Sequence, residues 1–118
     1  MSDTVCVLVD FSNGASKAFA QVPLADRTSV TQALDIAGSI APGLSYEFDA
    51  EFVDRGGRNV GTIKSVDGVG ETSDREWGVW VNGKVIGSLR QVVPESITPF
   101  GEMDLRPGDS ILLKLVAA

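Results

Sequence analysis

Acid–base or metal chemistry in this sequence would have to be carried by carboxylates or lysine, because the chain has no histidine. It also has a single cysteine, Cys6. These two facts exclude Ser-His-Asp and Cys-His catalysis, histidine metal sites and an internal disulfide. Cys6 stands in a short apolar run, which predicts a small buried hydrophobic side chain and not a nucleophile.

Two groups of carboxylates have spacings that could suit a metal ion. One group alternates along a strand-like stretch, and the other lies in a glycine-rich segment. They consist of Glu47, Asp49 and Glu51, and of Asp67, Glu71, Asp74 and Glu76. Calcium needs six or more converging oxygens, which a straight strand does not bring together, and the second group lacks the spacing of calcium loops. We expect no metal site and interpret segment 67–76 as an exposed loop, whose cation binding the sequence leaves open.

Two glycine patterns resemble nucleotide-binding motifs without their key residues. The stretch from Gly78 to Lys84 has the spacing G-x-x-x-x-G-K, yet Val85 stands where serine or threonine would hold magnesium. The stretch from Gly68 to Gly70 begins like a dinucleotide fingerprint, but Ser73 replaces the third glycine and no helical pattern follows. We interpret both patterns as coincidences within strands and turns.

The composition is that of an ordinary globular domain. The 118 residues are 43% hydrophobic and 22% charged, which predicts one domain over 1–118 with its own core. A net charge of −6 disfavours nucleic acid and anionic membranes as partners. The opening Met-Ser-Asp lacks the pattern of an export signal. The sequence as written therefore predicts a cytoplasmic protein, although an extracytoplasmic chain trimmed of its signal would read the same way.

Two apolar segments near the ends of the chain predict central strands that position these residues. Thr4 to Phe11 and Ser110 to Val116 carry apolar residues at both alternating positions, which is typical of strands covered on two faces. A turn signal at 12–14 and a strand from Lys17 to Val22 follow the first segment, before Pro23. The chain is expected to open with a hairpin.

One helix is predicted after this hairpin. Ser29 followed by Gln32 fits a capping box, and apolar residues recur at helical spacing from Val30 to Ala41. Glycine and proline residues at 38–43 mark the end of the helix. A single helix must cover one face of a sheet.

The middle of the chain predicts further hairpins. Tyr46 to Phe52 alternates apolar and acidic residues and should pair with 59–66. Glu76 to Val81 forms another strand, which the hairpin signal Asn82-Gly83 turns back. Pro107-Gly108 supplies a tight turn before the last strand, whereas the prolines in Ser88 to Met103 predict a packed loop. The expected fold is α+β, a β-grasp (ubiquitin-like) mixed sheet with one main helix and an extra hairpin, in which the terminal strands are parallel neighbours.

Several short stretches also resemble a known family. They are WGVWVNGK at 77–84, LRPGDSI at 105–111, TSV at 28–30, AL at 33–34 and VDGV at 66–69. With these stretches the chain resembles the transcobalamin C-terminal-like β-grasp family of uncharacterised domains over nearly its whole length. The resemblance implies a small β-grasp module, commonly outside the cytoplasm, related to the domain that closes over cobalamin in vitamin B12 carriers and to soluble-ligand-binding β-grasp domains.

The two tryptophans are predicted to lie on opposite faces of one strand. Side chains alternate along a strand, so Trp77 is expected in the core beneath the helix and Trp80 on the other face. The residues expected to share the face of Trp80 are Gly78, Asn82, Cys6, Leu8, Leu112 and Val116. A sheet face this apolar is seldom left bare.

Three explanations for that face remain open: cover by the chain's own segment from Ser88 to Met103, contact with a homodimer mate or another protein, or a flat ligand stacked on Trp80 beside Gly78. We expect a binding module without catalytic activity or a resident cofactor, with Trp80, Gly78, Asn82, Leu8 and Leu112 as the contact residues. Protein contact is the main hypothesis, and a small planar ligand such as a corrinoid is the alternative. An enzyme subunit that needs a partner's residues is the third.

Overall fold

Eight strands and one helix make up the described part of this computed structural model, which comprises residues 3–24, 28–41, 43–53, 57, 59–87, 99–100 and 103–117. The elements are β1 (Thr4–Asp10), β2 (Ser16–Pro23), α1 (Val30–Gly38), β3 (Tyr46–Asp49), β4 (Thr62–Val66), β5 (Val69–Gly70), β6 (Arg75–Val81), β7 (Lys84–Ile86) and β8 (Ser110–Ala117). They form a mixed five-stranded sheet, β2-β1-β8-β6-β7, and a three-stranded antiparallel sheet, β3-β4-β5. The predicted α+β class is confirmed. No helix within the described ranges has the length and apolar character needed to cross a membrane.

The terminal strands lie at the centre of the larger sheet, as predicted. β1 pairs in parallel with β8 and antiparallel with β2, and β8 pairs antiparallel with β6. Burial alternates along β1, where Val7 and Val9 are buried and Leu8 is 41% exposed. The expectation that both faces of the central strands are covered is therefore wrong for β1. Cys6 belongs to the same exposed parity and is half-buried, so it is not the buried hydrophobe that its apolar run suggested.

Helix α1 begins and ends where the sequence predicts. The Ser29 hydroxyl accepts a hydrogen bond from the Gln32 N–H, and the Gln32 side chain accepts one from the Ser29 N–H, which completes the capping box. At the other end, a Cβ on Gly38 would lie 2.6 Å from the Leu44 carbonyl oxygen. Glycine is required there because the backbone approaches closely. The buried helix residues, Val30, Ala33, Leu34 and Ala37, join the core formed with β1 and β2.

The smaller sheet differs from the predicted hairpin in two respects. β3 ends at Asp49, three residues before the end of the alternating pattern, because the Asp49 carboxylate accepts the Glu51 N–H at 3.0 Å and turns the chain. Val53 then makes only an isolated bridge with Asn59. The segment interpreted as a loop after Val66 contains the short strand β5, which extends this sheet.

Aromatic residues fill the core where the two sheets meet. Trp77 is 1% exposed, its indole N–H donates to the Val69 carbonyl at 2.8 Å, and its ring packs edge-on against Phe11. Phe48 packs edge-on against Phe100, which is also buried. The predicted core position of Trp77 is confirmed. Most of the predicted packed loop from 88 to 103 lies outside the described residues; of its described residues 99, 100 and 103, Phe100 belongs to the core.

An ion pair joins the two sheets at their edge. The Lys17 ammonium on β2 lies 2.5 Å from Asp67 in the β4–β5 turn and donates to the Gly43 carbonyl at 2.7 Å. The other oxygen of Asp67 accepts the Ser45 N–H at 2.8 Å. Burial raises the pKa of Asp67, but the hydrogen bonds from Lys17 and Ser45 outweigh it and hold the pKa below its ordinary value of 3.8. The charged carboxylate is therefore favoured by folding.

Replacing Asp67 with asparagine should remove a pH-dependent part of the stability. Asparagine keeps an acceptor for Ser45 and tolerates the positive φ of 50° at this position. Because folding lowers the pKa of Asp67, its contribution should be present above pH of about 4 and be lost as pH falls through the folded-state pKa. Urea unfolding from pH 2 to 7 should show wild type more stable than Asp67→Asn near neutrality, with the difference closing in acid. The control is Glu47→Gln, which removes the charge of an exposed carboxylate. A stability difference between wild type and Asp67→Asn that does not change with pH would contradict the ion-pair argument.

Two glycines in positive-φ conformations should respond differently to alanine. Gly83 (φ 83°) and Gly87 (φ 72°) would both be strained by a side chain, but a Cβ at Gly83 meets nothing within 4 Å, whereas one at Gly87 would overlap the Phe100 ring. Gly83→Ala should cost about 1 kcal/mol from backbone strain. Gly87→Ala should cost about 1–3 kcal/mol more from overpacking. Denaturant unfolding compares the two, and equal losses would mean that Phe100 does not pack on Gly87.

Candidate binding face

A row of apolar side chains crosses the five-stranded sheet on the face opposite the core. Leu8 pairs with Ala18 on one side and with Leu112 on the other, Leu112 pairs with Trp80, and Trp80 pairs with Val85. These five residues, here called the apolar row, contribute one side chain from every strand of the sheet. Since paired residues in a sheet point to the same face, the row is continuous from edge to edge.

The apolar row is accessible from solvent over much of its length. Leu8 is 41% exposed, Ala18 is exposed, and Leu112, Trp80 and Val85 are half-buried. On the three middle strands the residues that flank them are buried on the other face; they are Val7, Val9, Ile111, Leu113, Val79 and Val81. The expected orientation of Leu8, Leu112 and Trp80, away from the core that holds Trp77, agrees with this alternation. We call this side of the sheet the outer face.

Small and polar residues border the apolar row. On one side Cys6 pairs with Ser110, and on the other Lys114 pairs with both Asp10 and Gly78. Asp10 and Lys114 carry opposite charges on neighbouring strands. The outer face is therefore apolar along its middle, and its charged residues, Asp10, Lys114 and the buried Glu76, lie away from the row.

Gly78 lies next to Trp80 on the outer face but offers no side chain of its own. It is buried and stands two residues before Trp80 on β6, which corresponds to about 7 Å along a strand. The indole is consequently the one side chain on this strand that could stack against a flat group. Of the predicted contact residues, Trp80 has the chemistry for that role.

Asn82 was predicted to join this surface, but its amide is already engaged within the fold. Its NH2 group donates to Asp109 at 2.8 Å, and its oxygen accepts the Ser110 N–H at 2.9 Å. Its φ of 52° is the conformation that the Asn82-Gly83 hairpin signal predicts. Asn82 therefore fixes the β6–β7 turn against β8 at the end of the outer face, and its role there is structural.

Sequence reasoning missed two members of the row and a depression beside it. Val85 could have been found, because a two-residue turn at Asn82-Gly83 necessarily pairs Trp80 with Val85. Ala18 was harder to find from the sequence, because the pairing of β1 with β2 shifts register between Val5 and Val7. The depression has a volume of about 380 Å³ and is lined by Leu8, Asp10, Ala15, Lys17 and Leu112, among others. This depression could not be predicted, because its shape depends on the conformation of the β1–β2 turn, which no local sequence pattern specifies.

The acidic residues that the structure describes do not converge on a common point. Asp67 is paired with Lys17, Glu71 lies 3.1 Å from the Lys64 ammonium, and Asp74 accepts the Thr72 hydroxyl at 2.7 Å. The Thr72 hydrogen bond lowers the pKa of Asp74. Across the described ranges, no three Cys, Asp or Glu side chains are grouped so that they could hold a metal ion. These carboxylates serve turns and ion pairs of the smaller sheet.

No family model matches the sequence. No curated protein matches it either. The resemblance to the transcobalamin C-terminal-like family stays a prediction, and the function has to be argued from the geometry of the outer face.

The two tryptophans provide a direct check on the two faces. Trp77→Phe should lose the hydrogen bond to Val69 and leave space in the core, which should cost about 2–3 kcal/mol. Trp80→Phe should cost less than about 1 kcal/mol, because the indole is half-exposed. Urea unfolding measures both costs, and acrylamide should quench the remaining Trp80 of Trp77→Phe much more strongly than the remaining Trp77 of Trp80→Phe. Equal quenching in the two variants would contradict the assigned faces.

Proposed function

We propose that this chain is a non-enzymatic interaction module that contacts a partner protein through the outer face. The observation that carries the proposal is the apolar row: five apolar side chains in register, one from each strand, with Leu8 41% exposed. A sheet with one wet face ordinarily alternates apolar and polar residues so that the wet face is polar. Continuous apolar surface on the exposed side of a sheet marks an interaction site.

We also propose that the fold is a β-grasp. The order β2-β1-β8-β6-β7, the parallel pairing of the terminal strands and the helix that follows the first hairpin support this. In this proposal β3, β4 and β5 form an addition between the helix and β6. A fold of this type presents one covered and one open sheet face, which is the feature that the proposed function uses.

The shape of the outer face favours a protein over a small molecule. Five strands about 4.8 Å apart extend the row over roughly 19 Å, whereas small-molecule sites are concave and enclose most of the ligand. Protein interfaces combine an apolar centre with a polar border and are often anchored by tryptophan. Trp80 supplies the anchor, and Asp10, Lys114 and Ser110 supply the border.

A planar small molecule is the second candidate. It is favoured by the half-exposed indole of Trp80 beside a residue without a side chain, Gly78, and by the depression next to Leu8. Aromatic stacking on Trp80 would supply the binding energy. The resemblance to the domain that closes over cobalamin makes corrinoids the first compounds to try.

The proposed function can be tested by crosslinking from Cys6, which borders the row and is the only cysteine. A benzophenone maleimide attached to Cys6 should, after illumination in an extract of the producing cells, yield a discrete protein adduct. Leu8→Asp should reduce the adduct at least tenfold, because a charge in an apolar contact is strongly unfavourable. Leu8→Lys should do the same, which separates loss of apolar contact from a change in charge sign.

Gln32→Glu is the matched control for the crosslinking. It adds the same charge as Leu8→Asp but lies on the exposed side of α1, and glutamate at this position preserves the capping box. Circular dichroism and unfolding of each variant exclude loss of the fold. Equal adducts in Leu8→Asp and Gln32→Glu would contradict contact through the outer face. The absence of adducts, together with a cobalamin that quenches the tryptophan fluorescence of wild type much more than that of Trp80→Phe, would replace the partner protein with the planar ligand.

A further inference from the structure

The charge on the outer face does not match the charge of the whole chain. The protein has a net charge of −6, yet the face carries Asp10 and Lys114, paired across neighbouring strands, and Glu76, which is 6% exposed. Exposed carboxylates lie elsewhere, among them Glu47, Glu71 and Asp74. A strongly basic partner would gain more by docking at those acidic surfaces. With two carboxylates, one of them buried, and one ammonium group, the face is only weakly charged and suits a partner with a weakly charged, apolar surface.

The order of residues in the apolar row is compatible with a twofold axis. β8 is the middle strand of five, so Leu112 stands at the centre of the row, with Leu8 and Trp80 on its two sides. A second copy placed face to face puts Leu112 opposite its own counterpart, as isologous interfaces require. An axis that runs along the row sets each of its residues opposite the same residue of the second copy, and sets Lys114 opposite Ser110. Only apolar residues then face one another within the row, and no like charges are opposed.

The size of the face suits a weak dimer. Four strands of seven or eight residues and the three-residue β7, about 4.8 Å apart with a rise of about 3.3 Å per residue, give a face of roughly 500 Å². Two such faces bury on the order of 1,000 Å² in total, which is at the lower end of specific protein interfaces. The expected assembly is therefore a dimer that forms and dissociates with concentration.

We propose that the partner is a second copy of this chain, packed with its outer face against the first about a twofold axis beside Leu112. This rests on the proposed function, because it uses the same face and names what occupies it. The two sheets would lie about 10 Å apart, with Leu8, Leu112 and Trp80 in the interior of the interface. Asp10 and Lys114 would remain at the border.

Purified protein is sufficient to test the dimer. Light-scattering mass should rise from the chain mass of 12.4 kDa towards twice that value as the concentration increases, with half-dimerisation in the micromolar range or weaker. Leu8→Asp should weaken dimerisation at least tenfold, because each dimer then buries two like charges. Gln32→Glu should leave it unchanged. A monomeric mass up to about 1 mM would overturn the proposal.

Crosslinking tests the position of the axis. In a Cys6→Ser background, Leu112→Cys should give a crosslinked dimer with a short bismaleimide, because facing sheets lie too far apart for a direct disulfide. Ala50→Cys, exposed on the smaller sheet's side of the chain, should not. Equal yields at 50 and 112 would indicate random collision and overturn the proposal. If the purified protein is monomeric but Cys6 still gives a Leu8-dependent adduct with another protein, the dimer proposal is wrong and the proposed function stands. If the protein is monomeric and Cys6 gives no adduct, both proposals are contradicted.

Discussion

The parallel pairing of β1 with β8 is the constraint on which the rest of this structure depends. It joins segments more than a hundred residues apart through Leu8 and Leu112, and the Gly108 N–H donates to the Thr4 carbonyl at 2.8 Å where the two strands begin. β2 attaches to the free side of β1, and β6 to the free side of β8. A slip of one residue in this pairing would exchange the core and outer faces of one terminal strand relative to the other. Because the contact is so distant in sequence, closing it is expected to be slow relative to the local hairpins.

The core face of the large sheet needs more cover than one helix can give. The nine residues of α1 extend over about 13.5 Å, less than the width of five strands. The smaller sheet covers the remainder: Trp77 reaches Val69, and Phe48 meets Phe100. The Tyr46 hydroxyl lies 2.7 Å from Asp35 and 3.0 Å from the Thr31 carbonyl, which fastens β3 to α1. Burial and the Asp35 carboxylate both raise the pKa of Tyr46, so this hydroxyl keeps its proton and remains a donor.

Features set by local chemistry could be predicted from the sequence, and those set by distant contacts could not. The capping box at Ser29, the hairpin at Asn82-Gly83 and the opposite faces of Trp77 and Trp80 each follow from a few neighbouring residues. The early end of β3 is an exception: it follows from a hydrogen bond between two nearby residues, the Glu51 N–H and the Asp49 carboxylate, to which the alternating pattern gave no weight.

The pairing of Lys17 with Asp67 spans fifty residues and required the arrangement of both sheets. The candidate site shows the same division. Trp80, Leu8 and Leu112 could be assigned to one face from strand parity, but their alignment in a single row depends on two interstrand registers. Asn82 had the right position for a contact residue, and its engagement with Asp109 and Ser110 appeared only in three dimensions.

The two sheets of this chain differ in the residues that they expose to solvent, and this difference supports an interaction role for the apolar row. On the smaller sheet, Glu47 is exposed on β3, which is the alternation expected of a strand with one wet side. On the larger sheet, the solvent side of β1 carries Leu8, and that of β6 carries Trp80. Low overall polarity does not account for this difference, because the same chain has 22% charged residues. An apolar side chain recurs at the same level of all five strands, and polar or small residues return one level away at Lys114 and Ser110. The apolar character is thus confined to a band with defined edges, as in an interface with an apolar centre and a polar border.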